Sequence, residues 1–275
     1  MRKFKGFTLL ELIIVMAILS ILMVSLMQMF KPIRDTYVDS TLYEAQRTSQ
    51  NGMVRYITES VRYSTDMGVY NGGGVVKAVE DFAAVYLPAN GCPTSSPTYS
   101  ANVEQVKRYA EVIIIDNGQY TYNNKDWSGR ILRRKYKNDG YGVPQPLTAN
   151  AELVGSDECR LALGAAYYGE SNYTIRLGNN PADAGAADTA IESGSASDGF
   201  KVTVTSLPIR LQKNRSYSDN SENNRTITNT GTVICRNQEA PISGVFDVSG
   251  YTATTATTPG SKVYIVFVND KVPLV

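Results

Sequence analysis

Between Leu12 and Phe30 the chain carries no formal charge, and its only polar side chains are Ser20, Ser25 and Gln28. As a helix rising about 1.5 Å per residue, that run covers roughly 28 Å, close to the hydrocarbon thickness of a bilayer. Pro32 follows and predicts a kink. Beyond it Ile33, Tyr37, Leu42, Met53, Tyr56, Ile57 and Val61 recur near helical spacing, with Arg34, Asp35, Asp39, Glu44 and Arg47 filling the other positions. The pattern predicts one helix, apolar all round in its first half and amphipathic in its second, reaching about Asp66 and roughly 90 Å in all. Gly68 and the run Asn71-Gly72-Gly73-Gly74 are expected to end it.

Downstream the pattern turns to that of strands. Residues 75–88 read equally as helix or strand. Residues 112–115 and 119–122, separated by Asn117-Gly118, predict a hairpin, and 130–136 a third strand. Gly140, Gly142, Pro144 and Pro146 mark a boundary. After it, 151–168 predicts a second, shorter helix that Gly155 and Gly164 weaken. Strands are expected at 173–177, 200–205, 226–235 and 262–268, and the Ala/Asp/Gly/Ser-rich stretch 179–199 reads as an exposed loop. The fold class is α+β: a long N-terminal helix packed on an antiparallel sheet. Residues 31–138 are expected to hold the amphipathic helix and a first sheet domain. Residues 139–275 form an extra, mostly-β region, either a second domain of similar plan or part of one enlarged sheet.

One carboxylate, Glu11, stands near the start of the apolar run. At that depth it costs on the order of a few kcal/mol unless something pairs with it. A secretory signal would have an apolar core of about 7–15 residues and a small-residue cleavage site, which this run lacks. A plain signal anchor explains the length and the positive flank Arg2, Lys3 and Lys5. It explains neither Glu11 nor the junction of Lys5, Gly6 and Phe7.

The short basic leader ending in Gly6, then Phe7, Thr8, Leu9, Leu10 and Glu11, then the unbroken apolar helix, resembles the class III signal of type IV pilins and pseudopilins. That resemblance implies a membrane peptidase that cuts after Gly6 and methylates the new amino group of Phe7. It also implies that Glu11 neutralises the amino group of a neighbouring subunit inside a filament, setting axial register. The plainer alternative is that Glu11 compensates the helix N-terminus. Implied partners are other pilin subunits, the prepilin peptidase, the inner-membrane pilus assembly machinery and, before assembly, the membrane itself. The chain would cross the cytoplasmic membrane once, N-terminus inside, and later sit in an extracellular pilus. By its size it would be a minor or specialised pilin. A pseudopilin of a secretion or DNA-uptake machine is the alternative, as is a pilus-borne adhesin that binds a surface or host ligand through residues 139–275. Adhesion, twitching and aggregation are the roles the family carries. The helix-then-strands order of both halves is also similar to two-domain minor pilins of Gram-positive anaerobes.

Composition narrows the chemistry. There is no histidine, which removes His-based triads and His-ligated zinc proteases, so no enzyme is expected. Net charge is +1, and loss of Arg2, Lys3 and Lys5 with the leader leaves −2, against wholesale binding of nucleic acid. "RILRRKYK", residues 130–137, is the densest basic run; as a strand it splits its charges over two faces, which suits salt bridges or solubility more than a phosphate surface. Gly72 to Gly74 lack the Gly-Lys-Ser/Thr of a phosphate loop. The stretch Asp219 to Asn223 lacks the glycine of a calcium loop, since Asn224 stands there. Cys92, Cys159 and Cys235 leave three readings open: one disulfide plus a free thiol, three buried thiols, or a structural zinc site with Asp157 or Glu158 as fourth ligand.

Overall fold

The computed structural model of the chain describes residues 8–71, 73–164, 171–179, 190–191, 199–208, 227–234, 246–247 and 262–275. The chain divides into two units, Met1–Ala45 and Gln46–Val275. Helix α1 (Leu9–Val61) belongs to both.

In the first unit the helix exposes apolar side chains on all sides, among them Leu9, Ile13, Met16, Leu22, Met27 and Phe30. Its few hydroxyls are satisfied locally: Ser20 Oγ donates to the Met16 carbonyl at 2.7 Å and Ser25 Oγ to that of Ile21 at 3.0 Å. Such back-bonding lets a polar residue sit in an apolar surround without an outside partner. The helix runs on through Pro32, and Thr36 Oγ1 donates to the Pro32 carbonyl at 2.8 Å.

In the second unit, α1 ends at Val61 and the chain enters β1 (Asp66–Asn71) within a few residues. Two helices follow, α2 (Val75–Ala89) and α3 (Tyr99–Tyr109), then β2 (Glu111–Tyr122), β3 (Lys125–Arg134), a 3-10 turn (Ala149–Glu152) and β4 (Cys159–Gly164). The remaining strands are β5 (Ser171–Asn179), β6 (Ala190–Ile191), β7 (Gly199–Pro208), β8 (Ile227–Ile234), β9 (Phe246–Asp247) and β10 (Lys262–Val268). The main sheet runs β1-β10-β2-β3-β4, all antiparallel; β5-β7-β8 and β6-β9 form smaller sheets.

Both faces of the main sheet are covered, which is why β2 and β10 contain unbroken apolar runs. Ile113, Ile115, Ile131, Val263, Ile265 and Phe267 pack with Met53, Ile57 and Val61 of α1 and with Tyr173, Ile175, Val202 and Val204 of the β5-β7-β8 sheet. The alternate positions, Val112, Ile114, Leu132, Tyr264 and Val266, pack with Val79, Phe82, Tyr86 and Val106 of α2 and α3. Alternation cannot show in a strand buried on both sides.

The architecture is the expected α+β one, and several local expectations are corrected. Residues 75–88 are helical because Val75, Ala78, Val79, Phe82, Ala83, Tyr86 and Leu87 make one buried stripe at 3.6-residue spacing. Gly68 lies inside β1 and does not end α1. The expected turn at Asn117-Gly118 is a bulge within β2: Asp116 pairs with Arg130 and Gln119 with Ser128, so two residues oppose Gly129 alone. The true hairpin turn is Asn123-Asn124, with φ of 52° and 56° between the paired Tyr122 and Lys125. Gly129 is needed there, because its φ is 79° and an added Cβ would fall 2.2 Å from the Tyr173 carbonyl oxygen of β5.

The helix expected at 151–168 is replaced, among the described residues, by the end of the 3-10 turn and by β4. Strands β5, β7 and β8 extend or trim the expected ones, and β10 has the expected bounds. Most of the loop expected at 179–199 lies outside the described residues, as do Asp219 to Asn224. A boundary near residue 139 does not separate the sheets, since β4 and β10 lie beyond it yet complete the first sheet. A fragment of residues 139–275 leaves β10 without β1 and β2, its partners on both sides. We therefore expect that fragment to be unfolded by proton NMR dispersion and rapidly digested in limited proteolysis.

Candidate functional site

The start of α1 is where the sequence analysis expects the processing and assembly residues. Gly6 and Phe7 lie outside the described residues; Thr8 and Glu11 do not. Thr8 precedes the first helical residue, and its backbone N–H and Oγ1 both donate to Glu11 Oε2, at 2.8 and 2.9 Å. In return the Glu11 backbone N–H donates to Thr8 Oγ1 at 3.3 Å. This is a reciprocal capping box that satisfies donors a helix start leaves open. Its signature, Thr-x-x-Glu ahead of an apolar run, was present in the sequence and passed unread. Both bonds to the carboxylate fall on Oε2, and Oε1 accepts from no donor among the described residues.

That leaves a helix start which holds itself together and still presents a carboxylate oxygen. Around it Leu9, Leu10 and Leu12 are 79, 68 and 60 % exposed, so the carboxylate stands among unpartnered apolar side chains. One helix among the described residues, α1, is long and apolar enough to cross a membrane.

A second set of polar residues on α1 was not read from the sequence, because it lies on the stripe that also carries core residues. Gln46, Ser49 and Gln50 are all buried. Gln46 Nε2 donates to Ser171 Oγ at 3.2 Å, Ser49 Oγ to the Tyr173 hydroxyl at 2.6 Å, and Gln50 Nε2 to Ser206 Oγ at 2.8 Å. These bonds hold the β5-β7-β8 sheet in one position along α1, since a slide would leave buried polar groups unpaired. Nothing in them resembles catalysis.

The basic run of residues 130–137 is largely consumed internally. Arg130 meets Asp116 at 2.7 Å and lies over the Tyr120 ring; Arg133 meets Glu111 at 3.1 Å. Arg134 is buried and donates to the carbonyls of Ala110 and Gln145, at 2.7 and 3.0 Å. Lys137 stands 3.6 Å from Asp157. Cations committed in this way do not form a phosphate-binding surface.

Cys92 and Cys159 are both buried, both free, and both in the cluster beneath α2 and α3, so they do not bridge each other. Cys92 Sγ accepts a hydrogen bond from Asn102 Nδ2 at 3.2 Å. Cys235 lies outside the described residues. The carboxylates beside Cys159 are engaged elsewhere: Asp157 is largely exposed near Lys137, and Glu158 Oε2 accepts from Thr148 N and Oγ1 at 3.0 and 2.8 Å. Among the described residues no group of three Cys, Asp or Glu side chains is arranged to hold a metal ion. Burial pushes the Cys159 thiol above the usual cysteine range, which lowers its thiolate fraction. Native protein at pH 8 should therefore take up iodoacetamide slowly at Cys92 and Cys159, and quickly in denaturant. Peptide mass mapping checks this, and equal rates in both states would contradict it.

Residues 1–27 match the family model described as the prokaryotic N-terminal methylation motif, the class III signal of type IV pilins. The match covers the leader and most of the apolar run of α1, and none of the sheets beyond. No curated protein and no solved structure matches the chain.

Proposed function

We propose that this protein is a structural subunit of a type IV pilus, of the minor or specialised kind. It is inserted in the membrane by α1, cut after Gly6, and moved into the filament with the same helix at its core. One observation carries the reading: a helix that exposes apolar side chains on every side of its first half and opens on a carboxylate whose Oε1 accepts from no donor among the described residues. Lipid solvates such a surface before assembly and other helices of the same kind replace it afterwards. At the membrane surface water and headgroups solvate the amino group created on Phe7; among packed helices they do not, and Glu11 of a neighbour supplies the missing charge. The specialised role follows from bulk, because the sheet β5-β7-β8 adds to the volume that must fit around each helix.

Two measurements test this. The intact mass of the mature protein should correspond to a chain starting at a methylated Phe7. Immunogold labelling against the second unit should give sparse label along filaments or at their tips. Label confined to the cell envelope would overturn the filament reading, and continuous label would overturn the minor role.

A further inference from the structure

Where β2 begins and β10 ends, a pocket of about 210 Å³ opens between two short walls. The first carries Tyr109, Tyr136 and Glu111; the second is the segment after β10, with Asn269, Asp270 and Lys271. Both walls are fastened to the fold. The Tyr136 hydroxyl donates to the Tyr109 carbonyl at 3.0 Å, and the Arg134 guanidinium lies 4.6 Å from the centre of the Tyr136 ring. In the second wall Val272 is buried, and its N–H donates to the Tyr86 hydroxyl of α2 at 3.0 Å. A pocket held in this way loses little freedom when it is filled. It sits at the end of the main sheet where α1 stops: Thr65 N–H, just past the helix, donates to the Val268 carbonyl at 2.9 Å.

The lining selects a chemistry. Formal charge cancels there, because Glu111 and Asp270 are offset by Lys271 and by Arg133, which meets Glu111 at 3.1 Å. A balanced lining draws in neither cations nor anions. Asn269 and Asp270 are exposed, and the Asp270 carboxylate accepts from no donor among the described residues. Acceptors and an amide donor thus stand beside aromatic rings. The volume is below the roughly 300–1,000 Å³ of pockets for drug-sized ligands, so it holds about one ring. A pyranose fits each condition: it is neutral, has an apolar C–H face for a tyrosine, and carries hydroxyls for the carboxylate and the amide. We propose that this pocket binds the terminal neutral sugar of a glycan, with Tyr109 against the ring and Asn269 and Asp270 on its hydroxyls. The site goes beyond the filament reading and does not depend on it. It draws on residues from both sides of position 139, so the C-terminal stretch alone cannot form it.

Saturation-transfer NMR on the full chain, in a detergent without a sugar headgroup, tests this. The probes are the methyl glycosides of glucose, galactose, mannose and N-acetylglucosamine, the four free sugars, and arginine methyl ester and methyl phosphate as charged controls. At least one methyl glycoside should receive saturation, and neither charged control should. Tyr109→Ala, which keeps the backbone carbonyl, and Asp270→Ala should each weaken that binding about tenfold. Both side chains are exposed, so the urea midpoint should not move in either variant. If no glycoside is saturated, if a charged control is saturated instead, or if both variants bind as the natural chain does, the sugar site is wrong. Saturation of a free sugar but of no methyl glycoside would overturn the glycan end as the ligand. Absence of the chain from filaments would bear on the filament reading alone.

Discussion

Chains with Glu11→Ala are expected to be cut after Gly6 and held in the membrane, yet to be missing from filaments. The capping box explains the first half of this result. Alanine removes the acceptor for Thr8 N–H and Oγ1, and with it half of the reciprocal cap at the helix start. That loss frays one turn of a 53-residue helix whose insertion is driven by its apolar surface. The second half follows from what the neighbour loses: an ammonium confined among apolar helices without a counter-charge costs on the order of several kcal/mol. Glu11→Gln separates the two roles. Its amide oxygen still accepts from Thr8 while the charge is gone, so it should keep the helix start and fail in assembly. Immunoblots of sheared filaments and of membranes read both outcomes. Natural amounts of Glu11→Ala in filaments would sink the pairing.

How much of this was legible without coordinates depended on whether one periodicity dominated. The apolar run is a one-dimensional signal, and it located the helix. Strand β10 kept its expected bounds because Lys262 and the residues after Val268 flank a solid apolar run. Residues 112–122 misled because Asn-Gly is a strong turn signal, whereas here the Asn117 side chain replaces a strand partner. Asn117 Nδ2 donates to the Ile175 carbonyl and Asn117 Oδ1 accepts from Ile175 N–H, both at 2.9 Å, joining β2 to β5. Only the tertiary fold reveals that use. The supposed helix at 151–168 failed because the apolar residues of β4 serve both faces of the sheet, Cys159 and Leu161 packing on the α2 side and, past a bulge, Ala162 and Leu163 on the α1 side. The placement of β10 between β1 and β2 was out of reach for any local pattern, since the paired residues lie some 150 to 200 positions apart in sequence.

Glu152→Ala is expected to be the most damaging single change in the second unit, at about 4 kcal/mol. Helix α2 opens on Gly74, which has no side chain to cap it, and the carboxylate of Glu152 takes over that task by accepting from the Val75 backbone N–H. The same carboxylate accepts from the Tyr264 hydroxyl at 3.1 Å and from Lys262 Nζ at 2.7 Å. The glutamate and lysine side chains are 15 and 28 % exposed, so the pair is poorly screened. Alanine leaves Lys262 without its counter-charge, Tyr264 without its acceptor and α2 without its cap, loosening β10 and α2 together. Glu152→Gln keeps an acceptor for the cap and the phenol, and should lose roughly half as much. Trp127, the one tryptophan, is buried in the core and reports unfolding by its fluorescence during urea titration of the full chain in mild detergent. Burial, and then the charge of Glu152, push the Tyr264 phenol above its usual range. The unfolded chain therefore gives up that proton first, and stability should fall as pH rises past about 10. Glu152→Ala removes both the charge and the hydrogen bond that Glu152 contributes to this shift, so it should soften the alkaline loss while lowering stability at neutral pH. An unchanged urea midpoint at pH 7 would show that the carboxylate does not join α2 to β10.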